Sequence, residues 1–314
     1  STGTRLANAT ANYVLWINRG MEGLWLLTVI LVPLVFVSPG YMLSEGDAST
    51  TLPKIALLRT LAGLMAALWL AEWALQGKFP LNSLLRGQGS WIQPKAWIYG
   101  LSSWLRSQPT RWLTLVVGLY LGAALLSTIL STSFAISMWG DVPGQDGYPA
   151  YTVVAYLLLF GVIATHLKTR PQLGRLLGAV VIMGVLFSGY GVLQHYGHDF
   201  FGLNPLPFEQ IGLENLKSKD VTSMAGNPLF AGAVMLMIAS VSLMTATMTL
   251  QGPMRTVGFW WKLGLWSAVL AIQLLALSFT ANRGPFVGVS AALLAFIGLV
   301  AVFVGWRALA RVVM

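Results

Sequence analysis

Long apolar stretches, separated by short polar segments, run along the whole chain. Eight of them hold about 20 mostly apolar residues, the length that a helix needs to cross a lipid bilayer. They cover residues 23–43, 53–75, 112–131, 150–167, 175–196, 228–250, 262–281 and 285–306. The pattern predicts an all-α fold, a polytopic transmembrane helical bundle of about eight spans that forms a single domain over residues 1–314.

The composition agrees with a membrane protein. Hydrophobic residues make up 56% of the chain and charged residues 9%, whereas soluble globular domains carry about 25% charged residues. The mean hydropathy is +0.71. Cysteine is absent, which excludes disulfide bonds, thiolate metal sites and a cysteine nucleophile.

The formal net charge of +9 is divided unevenly between the predicted loops. Cytoplasmic loops of membrane proteins carry an excess of Lys and Arg near the ends of their spans. With the N-terminus inside, most basic residues fall on the inner side and most acidic residues on the outer side. We therefore expect both termini to be cytoplasmic. Topology and anionic lipid headgroups account for the basic surplus, so the lipid bilayer is an expected partner and nucleic acid is not.

Two of the predicted loops are long. The cytoplasmic loop, residues 76–111, is basic and rich in tryptophan, which favours a segment that lies in the membrane interface. The alternative for this loop is a docking surface for another membrane protein subunit. The main outer loop, residues 197–227, holds many polar residues, among them Lys217 and Lys219.

Arg283 lies in a short polar run, Thr280–Pro285, between the last two apolar stretches. A guanidinium group is costly in hydrocarbon, so this side chain should lie at an interface or face a polar cavity. Two interpretations remain open at this stage: the side chain reaches the outer lipid headgroups, or it contacts a ligand.

The string Gly226-Asn227-Pro228 predicts the start of a helix. Glycine allows a tight turn, asparagine caps the helix, and proline is well suited to the first helical position. The positive end of the helix dipole then favours an anion on the outer side. Asn227 is either a cap alone or also a substrate ligand, with Arg283 supplying a bidentate phosphate contact.

His195 and His198 stand close together beside Asp199. A polar cluster at the interface, acid–base chemistry and metal binding are the alternatives for this group. A third ligand with a defined spacing is missing, so we predict no metal site and no cofactor. Glu72 lies in the second apolar stretch, and we expect it to pair with a cation such as Lys78 or to reach the interface.

Taken in order, the polar strings of this chain resemble those of the O-antigen ligase-like family of bacterial envelope glycosyltransferases. The strings that carry the resemblance are Leu130-Ser131-Thr132, Ser137-Met138-Trp139-Gly140, Gly191-Val192-Leu193-Gln194, Asn204-Pro205-Leu206-Pro207, Ser223-Met224-Ala225-Gly226-Asn227-Pro228 and Thr280-Ala281-Asn282-Arg283-Gly284. The chain also departs from the family. Asn282 replaces a serine, and Gln145 and the string Asp220-Val221-Thr222 stand where many relatives have an arginine.

The resemblance implies a metal-independent, inverting transfer of a glycan from undecaprenyl diphosphate to an acceptor. The reaction would take place at the outer face of the bacterial inner membrane. The substrate-binding residues implied are Arg283, Asn227, Lys217 and Lys219 for the diphosphate, and Gln194, Trp139 and Ser131 for the wall of the site. No catalytic residue is assigned, because we expect the family's histidine base to lie beyond residue 314.

Two other functions remain open from the sequence. A non-catalytic relative, acting as a structural or assembly subunit of a larger membrane complex, would explain the replaced arginines and the tryptophan-rich loop. A transporter for a small anion or lipid would use the same outer polar residues.

Overall fold

The computed structural model describes residues 2–37, 48–76, 110–140, 148–203, 220–249 and 257–303. Within these ranges every long element is a helix, and no strand is present. In chain order the helices are α1 (Thr2–Leu34), α2 (Ala48–Gln76), α3 (Thr110–Ile129), α4 (Phe134–Trp139), α5 (Ala150–His166), α6 (Arg170–His195), α7 (Pro228–Thr249), α8 (Val257–Phe279) and α9 (Arg283–Phe303).

Six helices of the described part are long and apolar enough to cross a membrane. They cover Thr10–Leu34, Thr50–Gln76, Trp112–Ile129, Arg170–His195, Pro228–Thr249 and Val257–Phe279. Two further apolar segments, Ala150–His166 and Arg283–Leu299, are shorter. The helical, multi-pass membrane class predicted from the sequence is therefore confirmed, whereas the count of eight spans stays a prediction.

The first predicted span has the wrong boundaries. It was expected over residues 23–43, but α1 begins at Thr2 and ends at Leu34. Pro33 lies in its last turn, and a proline removes one hydrogen bond of the helical ladder. Residues 35–37 are no longer helical, and residues 38–43 lie outside the described ranges.

The chain divides into two compact units. Unit 1 comprises Ser1–Thr28 and Ile55–Gln172, and unit 2 comprises Val29–Lys54 and Leu173–Met314. Each unit has its own buried polar contacts.

In unit 1, two polar contacts connect α2 to α5 at different positions along the helices. Arg59 donates from Nη2 to the Thr152 hydroxyl at 2.7 Å. One carboxylate oxygen of Glu72 lies 2.7 Å from His166 Nε2, and both side chains are buried. Glu72 was expected to pair with a cation such as Lys78 or to reach the interface. Lys78 lies outside the described residues, and among the described ones α5 brings the His166 imidazole to the same buried face of α2.

In unit 2, helices α6, α7, α8 and α9 pack closely through small residues. The core contains Met183 and Phe187 of α6, Met235 of α7, and Leu277 of α8. A Cβ atom added at Gly232 of α7 would lie 2.5 Å from a ring carbon of Pro285. Glycine is thus required where α7 and α9 meet, which is a common device for bringing helices together in membranes.

Candidate functional site

The segment Asp220–Asn227, called the 220–227 segment below, leads into α7 and organises one end of unit 2. It contains a single 3₁₀ turn, Ser223–Ala225. Ser223 has φ 48° and Gly226 has φ 75°, both in the left-handed region, which is unusual for a serine. Such a backbone is maintained only when its surroundings hold it firmly.

Gln194 of α6 provides much of that restraint. Its Oε1 atom accepts hydrogen bonds from the backbone N–H groups of Thr222 at 3.1 Å and Ser223 at 2.8 Å. The Ser223 hydroxyl donates to the carbonyl oxygen of Phe187 at 2.7 Å. Gln194 is 7% exposed, so its amide holds the 220–227 segment from the buried side.

Lys54, at the beginning of α2, holds the same segment from another side. Its ammonium group donates to the carbonyl oxygen of Val35 at 2.6 Å and to that of Met224 at 2.7 Å. Thr50, one turn earlier, donates to the carbonyl oxygen of Ala225 at 3.4 Å. The sequence gave no role to Lys54, whose one signal was a cation at the start of an apolar stretch.

Asn227 caps α7 as its position predicts. Its Oδ1 atom accepts a hydrogen bond from the backbone N–H of Leu229 at 2.9 Å, and Pro228 is the first helical residue. This geometry uses the oxygen of the side-chain amide. Within the described ranges the Nδ2 group has no hydrogen-bond partner, so it remains a donor for a ligand.

Arg283 is the first residue of α9. The turn before it is fixed locally: the Asn282 side chain donates to the carbonyl oxygen of Thr280 at 3.1 Å, and Ala281 has φ 54°. The Arg283 side chain is exposed. It makes no hydrogen bond or ion pair with any residue that the structure describes.

Two contacts place the start of α9 beside the start of α7. Pro285 and the Thr280 hydroxyl both lie against Gly232, about one turn into α7. The backbone N–H of Val221 donates to the carbonyl oxygen of Phe279 at 3.0 Å. The 220–227 segment and residues 280–285 therefore lie together, and we call this region the polar end of unit 2.

The electrostatics of the polar end favour an anion. The N-termini of two helices meet here, and each carries a partial positive charge. Cations are normally favoured at the opposite, C-terminal end of a helix. Arg283 adds a full positive charge where the helix dipole already disfavours one, and an anion would relieve this repulsion.

His195 also belongs to the polar end. Its ring stacks on that of Phe279, with centroids 3.6 Å apart and planes inclined by 3°. Its Nδ1 atom is buried and has no partner among the described residues. His198 is exposed. No group of three or more His, Cys, Asp or Glu side chains in the described part of the chain is arranged to hold a metal ion.

The remaining predicted site residues lie in unit 1 or outside the described residues. Ser131 and Trp139 belong to unit 1, where the Ser131 hydroxyl bonds that of Ser137 at 2.7 Å. Trp139 is half exposed and its ring lies 5.2 Å from that of Tyr151. Lys217 and Lys219 lie outside the described residues, as do Gln145 and most of the 76–111 loop.

Comparison with protein family models, with curated proteins and with solved structures finds no match to this chain. The six apolar helices establish a multi-pass helical membrane protein. Its activity has to be inferred from the residues gathered at the polar end of unit 2, namely Arg283, Asn227, Lys54 and the two helix N-termini.

Proposed function

We propose that the polar end of unit 2 binds the diphosphate of a lipid-linked glycan. The protein would be an O-antigen ligase-like transferase that moves a glycan from undecaprenyl diphosphate to an acceptor. The proposal includes eight spans with both termini in the cytoplasm of a bacterial cell, so that the polar end faces outward from the inner membrane.

The observation that carries this proposal is the position of Arg283. It is an exposed guanidinium, without a partner in the described structure, at a helix N-terminus that lies beside a second helix N-terminus. Arginine binds phosphate through two parallel hydrogen bonds, and backbone N–H groups at helix starts bind phosphate oxygens. A diphosphate offers enough oxygens to use both kinds of donor at once.

The same arrangement suits the chemistry of glycan transfer. An acceptor hydroxyl attacks the anomeric carbon of the sugar, the bond from that carbon to the diphosphate oxygen breaks, and a base takes the hydroxyl proton. Negative charge grows on the departing diphosphate, and fixed donors directed at that charge lower the barrier. Arg283 and the free Nδ2 group of Asn227 would supply such donors, with Lys217 and Lys219 adding charge.

Binding of undecaprenyl diphosphate to the purified protein in nanodiscs tests the proposal. The Arg283→Ala variant should bind at least about tenfold more weakly, since a hydrogen bond to a charged group contributes about 1.5–3 kcal/mol. Lys262→Ala removes an exposed cation near the opposite end of α8 and should leave the affinity unchanged. Equal affinities for the native protein and Arg283→Ala would refute the assignment.

A non-catalytic assembly subunit is the second candidate, and Asp220 is the observation that favours it. This carboxylate begins the 220–227 segment, where many members of the resembling family have an arginine. A negative charge there opposes a diphosphate ligand. Purification under mild detergent would separate the two functions, because a subunit should copurify with stoichiometric partner proteins and should bind no undecaprenyl diphosphate.

A further inference from the structure

Three polar side chains in the core of unit 2 have no hydrogen-bond partner among the described residues. They are Ser188 of α6, Ser242 of α7 and Gln273 of α8, and each is 0% exposed. Neither the nitrogen nor the oxygen of the Gln273 amide is paired, and the same holds for both serine hydroxyls. These are four orphaned polar atoms inside helices long enough to cross a membrane.

The two serines behave unlike other hydroxyl residues in the same helices. Ser240 of α7 donates to the carbonyl oxygen of Leu236 at 2.9 Å, and Ser290 of α9 donates to that of Phe286 at 3.0 Å. Bonding one turn back is the usual solution for a serine inside a helix. Ser188 and Ser242 do not make this bond, so their hydroxyls are available to another partner in the core.

Backbone packing brings the three residues to one region. The Nε2 atom of Gln273 lies 3.1 Å from the position that a Cβ atom would occupy at Gly184 of α6, and Ile238 of α7 lies against the same glycine. Ser188 is one turn from Gly184 towards the polar end, and Ser242 is one turn from Ile238 in the other direction. Each serine is therefore roughly 6 Å along the helix axis from the level of Gln273.

Leaving these atoms unpaired would lower the stability of the folded protein. A buried polar group without a partner costs about 1–3 kcal/mol, and the core provides four such atoms. A ligand that pairs them must both donate and accept, because the glutamine presents an oxygen and an N–H group. It must also be neutral, since no charged side chain is among the fully buried residues of the described part of unit 2. Water meets both requirements, and buried water typically bonds such orphaned groups.

We propose that Ser188, Gln273 and Ser242 hold a short row of internal water molecules between α6, α7 and α8. One water molecule reaches partners about 3 Å away, so more than one is needed to connect the levels of the two serines. The row gives unit 2 a hydrated interior within a bilayer, and it is independent of any ligand at the polar end.

Water-edited solid-state NMR of the native protein in lipid bilayers tests this proposal directly. Magnetisation that starts on water should reach the Gln273 side-chain amide as early as it reaches that of Gln76, which is exposed. The backbone N–H groups of Ala276 and Leu277 report the slow transfer expected for a dry core. Sequential assignment through Ile272 and Leu274 identifies the amide without a variant.

The serine variants test whether the three residues share the water. Ser188→Ala and Ser242→Ala should each cause a loss of transfer to the Gln273 amide. Ser240→Ala is the matched control, because Ser240 lies two residues from Ser242 but is exposed and already bonded within α7. Native transfer as slow as that of Leu277, or unchanged transfer in both serine variants, would overturn the proposal.

Discussion

Lys54 Nζ lies 2.7 Å from the carbonyl oxygen of Met224, although 170 positions separate the two residues in the chain. A second hydrogen bond from the same ammonium group reaches Val35 at the end of α1. One cation therefore joins the end of α1, the beginning of α2 and the segment that precedes α7. The partially left-handed backbone around Ser223 and Gly226 depends on such anchors, and so does the placement of the adjacent helix N-terminus.

Replacing Lys54 should destabilise the protein. In Lys54→Met the carbonyl groups of Val35 and Met224 lose their donor, and hydrogen bonds to charged groups contribute about 1.5–3 kcal/mol each. Thermal unfolding in detergent should therefore occur several degrees lower. Lys262→Met removes an exposed lysine of α8 and should leave the unfolding temperature unchanged. An equal effect of both substitutions would show that the two carbonyl contacts contribute nothing.

Gly226→Ala should disrupt the 220–227 segment. The alanine would have to adopt φ near 75°, and its Cβ atom would collide with the Thr50 hydroxyl. We expect a loss of about 1–3 kcal/mol from the backbone strain alone. Gly264→Ala is the matched control, because Gly264 lies inside α8 with open space around it. That substitution should stabilise the helix by about 0.5–1 kcal/mol. If both variants change the free energy of unfolding in the same direction, the strained position assigned to Gly226 is wrong.

Glu72 and His166 form a buried pair in unit 1, and the effects of replacing them on the free energy of unfolding should not be additive. Glu72 also accepts from Gln76 at 2.8 Å, and His166 Nδ1 lies 2.9 Å from the Val162 carbonyl oxygen. Removing one partner of a buried pair leaves the other uncompensated and costs about 3–5 kcal/mol. The double variant Glu72→Leu with His166→Leu should cost much less than the sum of the single changes. If the losses of unfolding free energy in the two single variants add up to that of the double variant, the two side chains do not stabilise each other.

The proposed orientation can be tested with single cysteines, because the chain contains none. Gly284→Cys places a thiol in the first turn of α9, where a Cβ atom meets nothing within 4 Å. Lys168→Cys places one in the exposed segment between α5 and α6. In spheroplasts a membrane-impermeant maleimide should label the first variant and should label the second only after permeabilisation. Labelling of Lys168→Cys in intact spheroplasts would exclude the proposed topology.

Local sequence patterns predicted several helix ends correctly. The string Gly226-Asn227-Pro228 predicted a tight turn, a cap and a first helical residue. The structure has all three, and Gly226 makes its turn with φ 75°. The predicted end of the fifth span at residue 196 lies one residue from the end of α6 at His195. These signals are local, since a cap, a turn and a proline act on backbone groups within a few positions. The predicted end of the first span was wrong because the apolar sequence continues past Leu34, where the helix ends.

The sequence alone determined the helical membrane class, because an apolar stretch of this length has to satisfy its backbone hydrogen bonds internally. It also selected Arg283 and Asn227, whose neighbours mark helix starts. Only the tertiary structure decided that these two helix starts lie together, that Lys54 holds the segment that leads into α7, and that the Gln273 amide has no partner among the described residues. Such relationships depend on which helix faces meet, and the nearly uniform hydrophobicity of these helices leaves that choice to the packing of small residues and a few buried polar groups.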